Sequence, residues 1–234
     1  MLGRVLVAAG SGRRFGGSVN KPFLKLDDKA ILLWSLEVLR TIHPSGPTVL
    51  VHRAEDHDHV RALESSLLAL GVEAFMTGGE RRQDSVLRGC RALSENCTHV
   101  LIHDAARPFP PLAGTQAAVD AALQHGAAFL ALRARDTLRR VRSGFAVETV
   151  DRSEIVHSQT PQVFELTVLL DELERCGSET VTDEVVLFER QGRPTAVIEG
   201  DPRNIKITTS DDLIVAHALA RGINRHCESE RDHE

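Results

Sequence analysis

The sequence predicts an α/β fold, doubly wound around a mostly parallel sheet. Three observations carry that expectation. Short apolar runs rich in β-branched residues alternate with segments of ten or more residues whose apolar positions recur at helical spacing. The chain has 234 residues, 42% hydrophobic and 26% charged, the balance of an ordinary globular protein. No apolar run approaches the roughly 18 residues that a membrane span needs.

In chain order, residues 5–9 (Val-Leu-Val-Ala-Ala) read as a buried strand. It runs into Gly10, Gly12, Gly16 and Gly17, with Arg13, Arg14 and Lys21 set among them. A strand that ends in a glycine-rich, cationic loop can hold a polyphosphate. Glycines let backbone N–H groups approach anionic oxygens, and the side chains neutralise what charge remains. A solvated turn with arginines facing water is the plainer alternative. The loop is neither a dinucleotide fingerprint, because Phe15 stands where the third glycine belongs, nor a P-loop, because Arg13 follows Gly12.

Residues 23–26 read as a short strand, 31–42 as a helix and 48–51 as a strand. A helix over 57–70 closes at Gly71, a strand covers 74–77, and a helix follows Gly78-Gly79-Glu80-Arg81-Arg82 to about Leu93. Strands at 99–103 and 127–132 flank a helix at 112–125. The alternation then breaks. Residues 137–141 and 146–150, joined by Ser143-Gly144, read as a hairpin that either packs on the body or embraces a second subunit. Helices at 165–176 and 183–191, strands at 195–198 and 205–207, and a helix at 211–220 capped by Ser210 complete the reading. The chain is expected to be one domain, 1–234, with a β-arm at about 136–156 and a disordered polar tail from about 224. In a doubly wound sheet ligands sit at the carboxyl ends of the strands, which puts the loops at 10–21, 78–85 and 104–108 and the residues after Ile205 on one rim.

A net charge of −5 argues against binding nucleic acid through bulk electrostatics, so an anion site must be local. Cys90, Cys97, Cys176 and Cys227 show no metal or disulfide spacing and read as reduced thiols in a cytoplasmic protein. His52, His57 and His59 lie among Glu55, Asp56 and Asp58, a solvated polar face rather than a metal site.

Four stretches carry more. They are Ala8-Ala9-Gly10-x-Gly12-x-Arg14 with Lys21, Gly78-Gly79-x-x-Arg82-x-x-Ser85, His-Asp-Ala-Ala-Arg-Pro at 103–108, and Asn-Ile-Lys-Ile-Thr at 204–208. Together with Asp-Arg-Ser-Glu-Ile-Val-His-Ser-Gln-Thr-Pro-Gln at 151–162 and Thr-Asp-Glu at 182–184, this set resembles the 2-C-methyl-D-erythritol 4-phosphate cytidylyltransferases of the non-mevalonate isoprenoid pathway. The first motif alone is shared by many sugar nucleotidyltransferases. The stretch at 103–108 is far more specific, and the likeness covers nearly the whole chain.

The resemblance implies a nucleotidyltransferase, Rossmann-like fold with a protruding β-arm, and transfer of CMP from CTP to methylerythritol phosphate with Mg²⁺. It implies that Ala8, Ala9, Gly10, Gly79, Glu80 and Ser85 hold cytosine and ribose. Arg14 and Lys21 would stabilise the triphosphate, Asp104 would help hold Mg²⁺ and orient ribose or acceptor, and Lys206 would bind the acceptor phosphate or bridge to the triphosphate. Arg107, Thr137, Arg152 and Thr160 would contact the acceptor, some of them from the partner subunit of a homodimer. The chemistry agrees: a phosphate oxygen is the nucleophile, so Arg14, Lys21, Arg152 and Lys206 need only position the reactants and neutralise charge.

Simpler readings stand beside these. Asp104 could pair with Arg107, His103 reads as a packed strand residue rather than a base, Ser85 could cap the next helix, and Arg152 and Thr160 could serve only the dimer. Arg82 is read as loop support. Asn20 stands before Lys21 where the family often has proline, a departure expected to shift the loop backbone. Two rival functions remain: a pentitol-phosphate (ribitol 5-phosphate) cytidylyltransferase, and a catalytically inactive nucleotide-binding relative.

Overall fold

A computed structural model of the chain describes residues 1–10 and 19–231, with the side chains of the last helix described as far as Ile223. The elements run β1 (Leu2–Val7), β2 (Lys25–Leu26), β3 (Lys29–Ala30), α1 (Ile31–Ile42), β4 (Thr48–His52), α2 (His57–Ala69), β5 (Val72–Thr77), α3 (Arg82–Arg91), β6 (His99–Asp104) and α4 (Leu112–His125). They continue with β7 (Ala127–Arg133), β8 (Leu138–Arg142), β9 (Phe145–Val150), β10 (Val156–Glu165), α5 (Leu166–Arg175), α6 (Val185–Arg190), β11 (Ala196–Glu199) and α7 (Ser210–Arg231).

Seven strands form the central sheet in the order β11-β7-β10-β6-β1-β4-β5. Pairing is parallel except for β10, which lies antiparallel between β6 and β7. The expected doubly wound, mostly parallel sheet is therefore present. The order reverses at β1, so the crevice for a ligand falls at the carboxyl ends of β1 and β6.

Every residue of β1 is buried, because helices cover both faces of the sheet. Side-chain alternation sends Leu2, Leu6 and Ala8 to one face, against α1 (Leu32, Leu36) and α4 (Ala118, Ala122). It sends Val5 and Val7 to the other, against α3 (Val86) and α6 (Phe188). Arg4 is the exception in sign but not in burial. Its guanidinium donates to Thr48 Oγ1 at 2.8 Å and to the carbonyls of Leu39 (3.1 Å), His43 (2.7 Å) and Gly46, satisfying the open end of α1. Gly126, at φ 86°, ends α4 in the left-handed conformation and turns the chain directly into β7.

Several expectations need correction. Residues 23–26 do not make one strand: Lys21–Phe23 is a 3₁₀ turn around Pro22, and the strand that follows is two residues paired with β3. The segment around Ile205 and Ile207 joins no ladder, although Ile207 N–H donates to the Ala106 carbonyl at 2.9 Å. β10 is a full ten-residue strand in a stretch the sequence reading left without one. Ser210 is the first residue of α7 rather than its cap. Thr209 takes that role, its hydroxyl accepting from Asp212 N–H at 3.3 Å while Asp212 accepts from Thr209 N–H at 2.8 Å. The backbone of α7 runs to Arg231.

The hairpin β8–β9 turns at Ser143 (φ 47°) and Gly144 (φ 85°), the two positive φ values that a two-residue hairpin loop requires. It stands away from the body, with Phe145 75% exposed and Val141 and Val147 more than half exposed.

Candidate active site

At the carboxyl ends of β1 and β6 lies a cavity of about 320 Å³, within the range of pockets that enclose small-molecule ligands. The residues just after β1 contribute Ala8, Ala9 and Gly10, the loop before α3 contributes Gly79 and Glu80, α3 contributes Ser85, and β6 contributes Asp104. Lys21, Arg82 and Lys206 bring positive charge to the same space.

The glycine pair at the foot of α3 is explained by contact distances. A Cβ on Gly78 would fall 2.4 Å from the Ala9 side chain, and one on Gly79 would fall 2.3 Å from Asp84 Cβ. Only glycines let this loop press against the end of β1. Ser85, buried in the first turn of α3, accepts from Gly79 N–H at 3.1 Å and donates to the Arg81 carbonyl at 3.3 Å. The hydroxyl thus holds the loop on the helix; the N-terminal box is made instead by Arg81 N–H and Asp84 at 2.9 Å.

Asn20 precedes Lys21 with φ −69° and ψ 137°, backbone angles that proline also adopts, so the departure from the family pattern leaves this position undisturbed. The asparagine adds something proline lacks. Its buried amide donates to the Ala8 carbonyl at 2.9 Å and to Asp56 Oδ2 at 2.7 Å. Asp56 is held in turn by Arg53 through 2.7 and 2.8 Å contacts. The entry to Lys21 is therefore anchored to β1 and to the start of α2.

Arg107 meets Asp104 through the backbone, its N–H donating to the Asp104 carbonyl at 2.9 Å, and the carboxylate takes other partners. Lys206 Nζ sits 2.7 Å from its Oδ2, and Arg82 Nε 3.2 Å from its Oδ1. Burial would raise the pKa of this carboxyl, but the two cations outweigh it and hold the group well below the usual carboxylate range. Arg82 also donates through Nη1 to both oxygens of Glu184, at 2.5 and 2.8 Å. Glu184 is wholly buried, and burial, more than any opposing cation, sets the direction of its pKa, which is raised. Burial also works against the charge on Arg82, yet the two carboxylates raise its pKa.

Beneath Asp104 a chain of hydrogen bonds fixes His103. Its Nε2 lies 2.9 Å from the Arg107 carbonyl, which can only accept, so the ring proton sits on Nε2. Nδ1 then accepts the hydroxyl proton of Thr160 at 3.1 Å, and Thr160 Oγ1 accepts from Asp104 N–H at 3.1 Å. Burial lowers the His103 pKa to about 4, so the ring is neutral. His103 is the packed strand residue expected of it, and the Thr160 hydroxyl is committed to the same chain.

The remaining expected residues lie off the cavity. Arg107 is largely enclosed; its Nη1 donates to the Asn204 carbonyl at 2.8 Å, and its Nε is buried with no partner among the described residues. Thr137 and Arg152 are exposed at the base of the arm, where Arg152 donates to the Arg135 carbonyl. Arg14 lies outside the described residues. Sequence reasoning missed Glu184 and underrated Arg82. The signal was available in Thr182-Asp183-Glu184, but a pairing across 102 residues is not written in local spacing.

No group of three or more metal-ligating side chains occurs among the described residues. Mg²⁺ does not require one, since it commonly binds one or two carboxylates and completes its shell with substrate phosphates and water. A single ionised Asp104 at the cavity wall fits that donor set.

Comparison with known proteins agrees with this geometry. The family model for 2-C-methyl-D-erythritol 4-phosphate cytidylyltransferase matches residues 2–222. The chain is 37% identical over 217 residues to the protein of that name from Geobacillus thermodenitrificans, covering 92% of this chain and 95% of that one. It is 38% identical over 220 residues to that of Lysinibacillus sphaericus, covering 93% and 94%. Among solved structures, the Thermus thermophilus 2-C-methyl-D-erythritol 4-phosphate cytidylyltransferase superposes with a TM-score of 0.75 at 29% identity, over 94% of this chain and all of that one. The 4-diphosphocytidyl-2C-methyl-D-erythritol synthase of Anaerococcus prevotii shares the fold at a TM-score of 0.81 and 24% identity, over 94% and 96%. The chain belongs to the 2-C-methyl-D-erythritol 4-phosphate cytidylyltransferase family.

Proposed function

We propose that the protein transfers CMP from CTP to 2-C-methyl-D-erythritol 4-phosphate, giving 4-diphosphocytidyl-2-C-methyl-D-erythritol and pyrophosphate. The observation that carries this reading is the convergence of the β1 end, the Gly78-Gly79 loop, Asp104 and Lys206 on one cavity in a chain of this family. Ala8, Ala9 and Gly10 with Gly79, Glu80 and Ser85 receive the cytidine. Lys21 and Arg14 meet the triphosphate, and Lys206 meets the acceptor phosphate.

An acceptor phosphate oxygen attacks the α-phosphorus of CTP in line, the bond from that phosphorus to the bridging oxygen breaks, and pyrophosphate leaves. The nucleophile needs no activation by serine, cysteine or histidine. The chain's contribution is to hold two anions together and to neutralise charge building on the phosphoryl oxygens. Mg²⁺ held by Asp104 and the nucleotide phosphates would supply further neutralisation.

Thr137 and Arg152 serve the acceptor from the arm of a second copy. The support is the arm itself: it projects from the body and exposes Val141, Phe145 and Val147, apolar side chains that an embraced partner would cover. Arg107 and Thr160 act from below, by bracing the 204–208 segment and the backbone of Asp104. A cytoplasmic location belongs to the same reading. No helix among the described residues is long and apolar enough to cross a membrane.

Turnover of CTP with methylerythritol phosphate and with ribitol 5-phosphate, followed by pyrophosphate release, tests the reading. Preference for methylerythritol phosphate is expected. Preference for ribitol phosphate would overturn the acceptor, and CTP binding without turnover of either would favour the inactive relative.

A further inference from the structure

The Thr182-Asp183-Glu184 stretch has no part in the reaction as described so far, yet it places a fully buried carboxylate one side chain away from Asp104. Arg82 spans the two acids with different edges of its guanidinium. Nη1 faces both oxygens of Glu184 at 2.5 and 2.8 Å, while Nε makes the longer 3.2 Å contact with Asp104. The spacing between the acids is set by one strand. Ser158 and Gln162 of β10 hold Asp183 at 3.0 and 3.1 Å, and Thr160 of the same strand holds the Asp104 backbone at 3.1 Å.

We propose that Glu184 is a positioning residue that holds Arg82 back from Asp104, so that the Asp104 carboxylate stays available to the contents of the cavity. A guanidinium prefers a two-pronged grip on a carboxylate, and among the described residues Arg82 has these two carboxylates within hydrogen-bonding distance. With Glu184 in place, Asp104 Oδ1 receives a single, longer contact. Without it, Arg82 is free to close on Asp104 with two prongs. Lys206 already holds Oδ2 and Arg82 Nε touches Oδ1, so a two-pronged grip would replace one long contact with two and crowd both oxygens. Four charges, two of each sign, balance in the present arrangement; losing the Glu184 charge leaves one cation in excess beside Asp104. The inference rests on the proposed role of Asp104 in the reaction, but its geometric half does not.

The test compares wild type with Glu184→Gln and Glu184→Asp in three measurements: the position of Arg82 in crystals without substrate, the affinity for CTP by calorimetry, and kcat and KM per folded site with CTP and methylerythritol phosphate. In Glu184→Gln, Arg82 is expected to move onto Asp104. kcat should fall on the order of ten- to a hundred-fold, as for other residues that orient a ligand-binding group, with CTP affinity measured without Mg²⁺ within about threefold of wild type, because the hydrogen bonds of Gly79 and Ser85 do not involve Glu184. Glu184→Asp keeps the charge and should fall between the two; it carries the test if the Gln variant does not fold. Arg82 unmoved overturns the proposal whatever the kinetics. Arg82 moved with wild-type kcat per folded site also overturns it, because Asp104 would then not need to be kept open. If wild type itself turns over neither polyol phosphate, the functional reading fails, and the position of Arg82 alone decides the geometric claim.

Discussion

Two sets of opposite charges in this molecule use the same residue types in different surroundings. At the end of β6, Arg82, Glu184, Asp104 and Lys206 form a connected group in which Glu184 is wholly buried and the Asp104 side chain is 10% exposed. On the arm, Arg140 and Glu148 pair at 2.5 Å with both side chains 53% exposed. The contact distances are alike, but water surrounds the second pair and reaches the first only through the exposed parts of Arg82 and Lys206, 25% and 42% of their side chains. Charges in the cavity therefore depend strongly on one another, while those on the arm can be changed almost independently.

The largest effect should come from isolating a buried charge. Arg82→Ala leaves Glu184 enclosed with no cation, which costs about 3–5 kcal/mol of stability near neutral pH. Urea unfolding at pH 7 measures it. The penalty should shrink as pH falls and Glu184 takes up a proton, and a loss below 1 kcal/mol would place the pair in the same class as the arm.

Lys21→Ala should act on the reaction rather than the fold. Removing one charge-stabilising donor is expected to lower kcat on the order of a hundred- to a thousand-fold with an unchanged circular dichroism spectrum. A near wild-type kcat would remove Lys21 from the machinery.

Acid should find the buried group through His103. Its folded pKa, lowered by burial from 6.5 to about 4, means that the unfolded chain binds the proton more readily. The stability due to the neutral ring is whole above about pH 6.5 and declines as pH falls toward 4, by roughly 3 kcal/mol in all. Unfolding free energies across that range should show the slope in wild type and a shallower one in His103→Gln; equal slopes would assign the acid sensitivity elsewhere.

The smallest effect belongs to the arm. Arg140→Ala should change stability by less than about 1 kcal/mol. Phe145→Ser should leave the subunit's unfolding unchanged yet weaken self-association in sedimentation experiments. A large loss of subunit stability in either would mean that the arm packs on its own body.

The same contrast explains what could be read from the sequence. Where local chemistry dominates, sequence and structure agree: the apolar run at 5–9 overlaps β1, which starts earlier and ends at Val7, α4 and β7 meet at Gly126, and the arm's turn follows from Ser143-Gly144. β10 was missed because Pro161 interrupts it and His157, Ser158, Gln159 and Thr160 are polar. Of these, Gln159 and Thr160 are buried and make contacts that periodicity does not register: Gln159 holds the Asn204 carbonyl at 3.3 Å, and Thr160 holds His103 and Asp104. The reverse error occurred at Ile205 and Ile207, where apolar alternation suggested a strand and the structure has a segment packed against Ala106. Within the cavity, Lys21, Asp104 and Lys206 were legible from the motif set. The link from Arg82 to Glu184 was not, because it exists only once the chain has folded.

A crystal structure with CTP and Mg²⁺ shows most directly whether CTP occupies the crevice between β1 and β6. Cytosine is expected against Gly79 and Glu80, with the triphosphate between Lys21 and Lys206 and the metal on Asp104. Nucleotide bound away from this crevice, or phosphates that touch neither lysine, would contradict that placement.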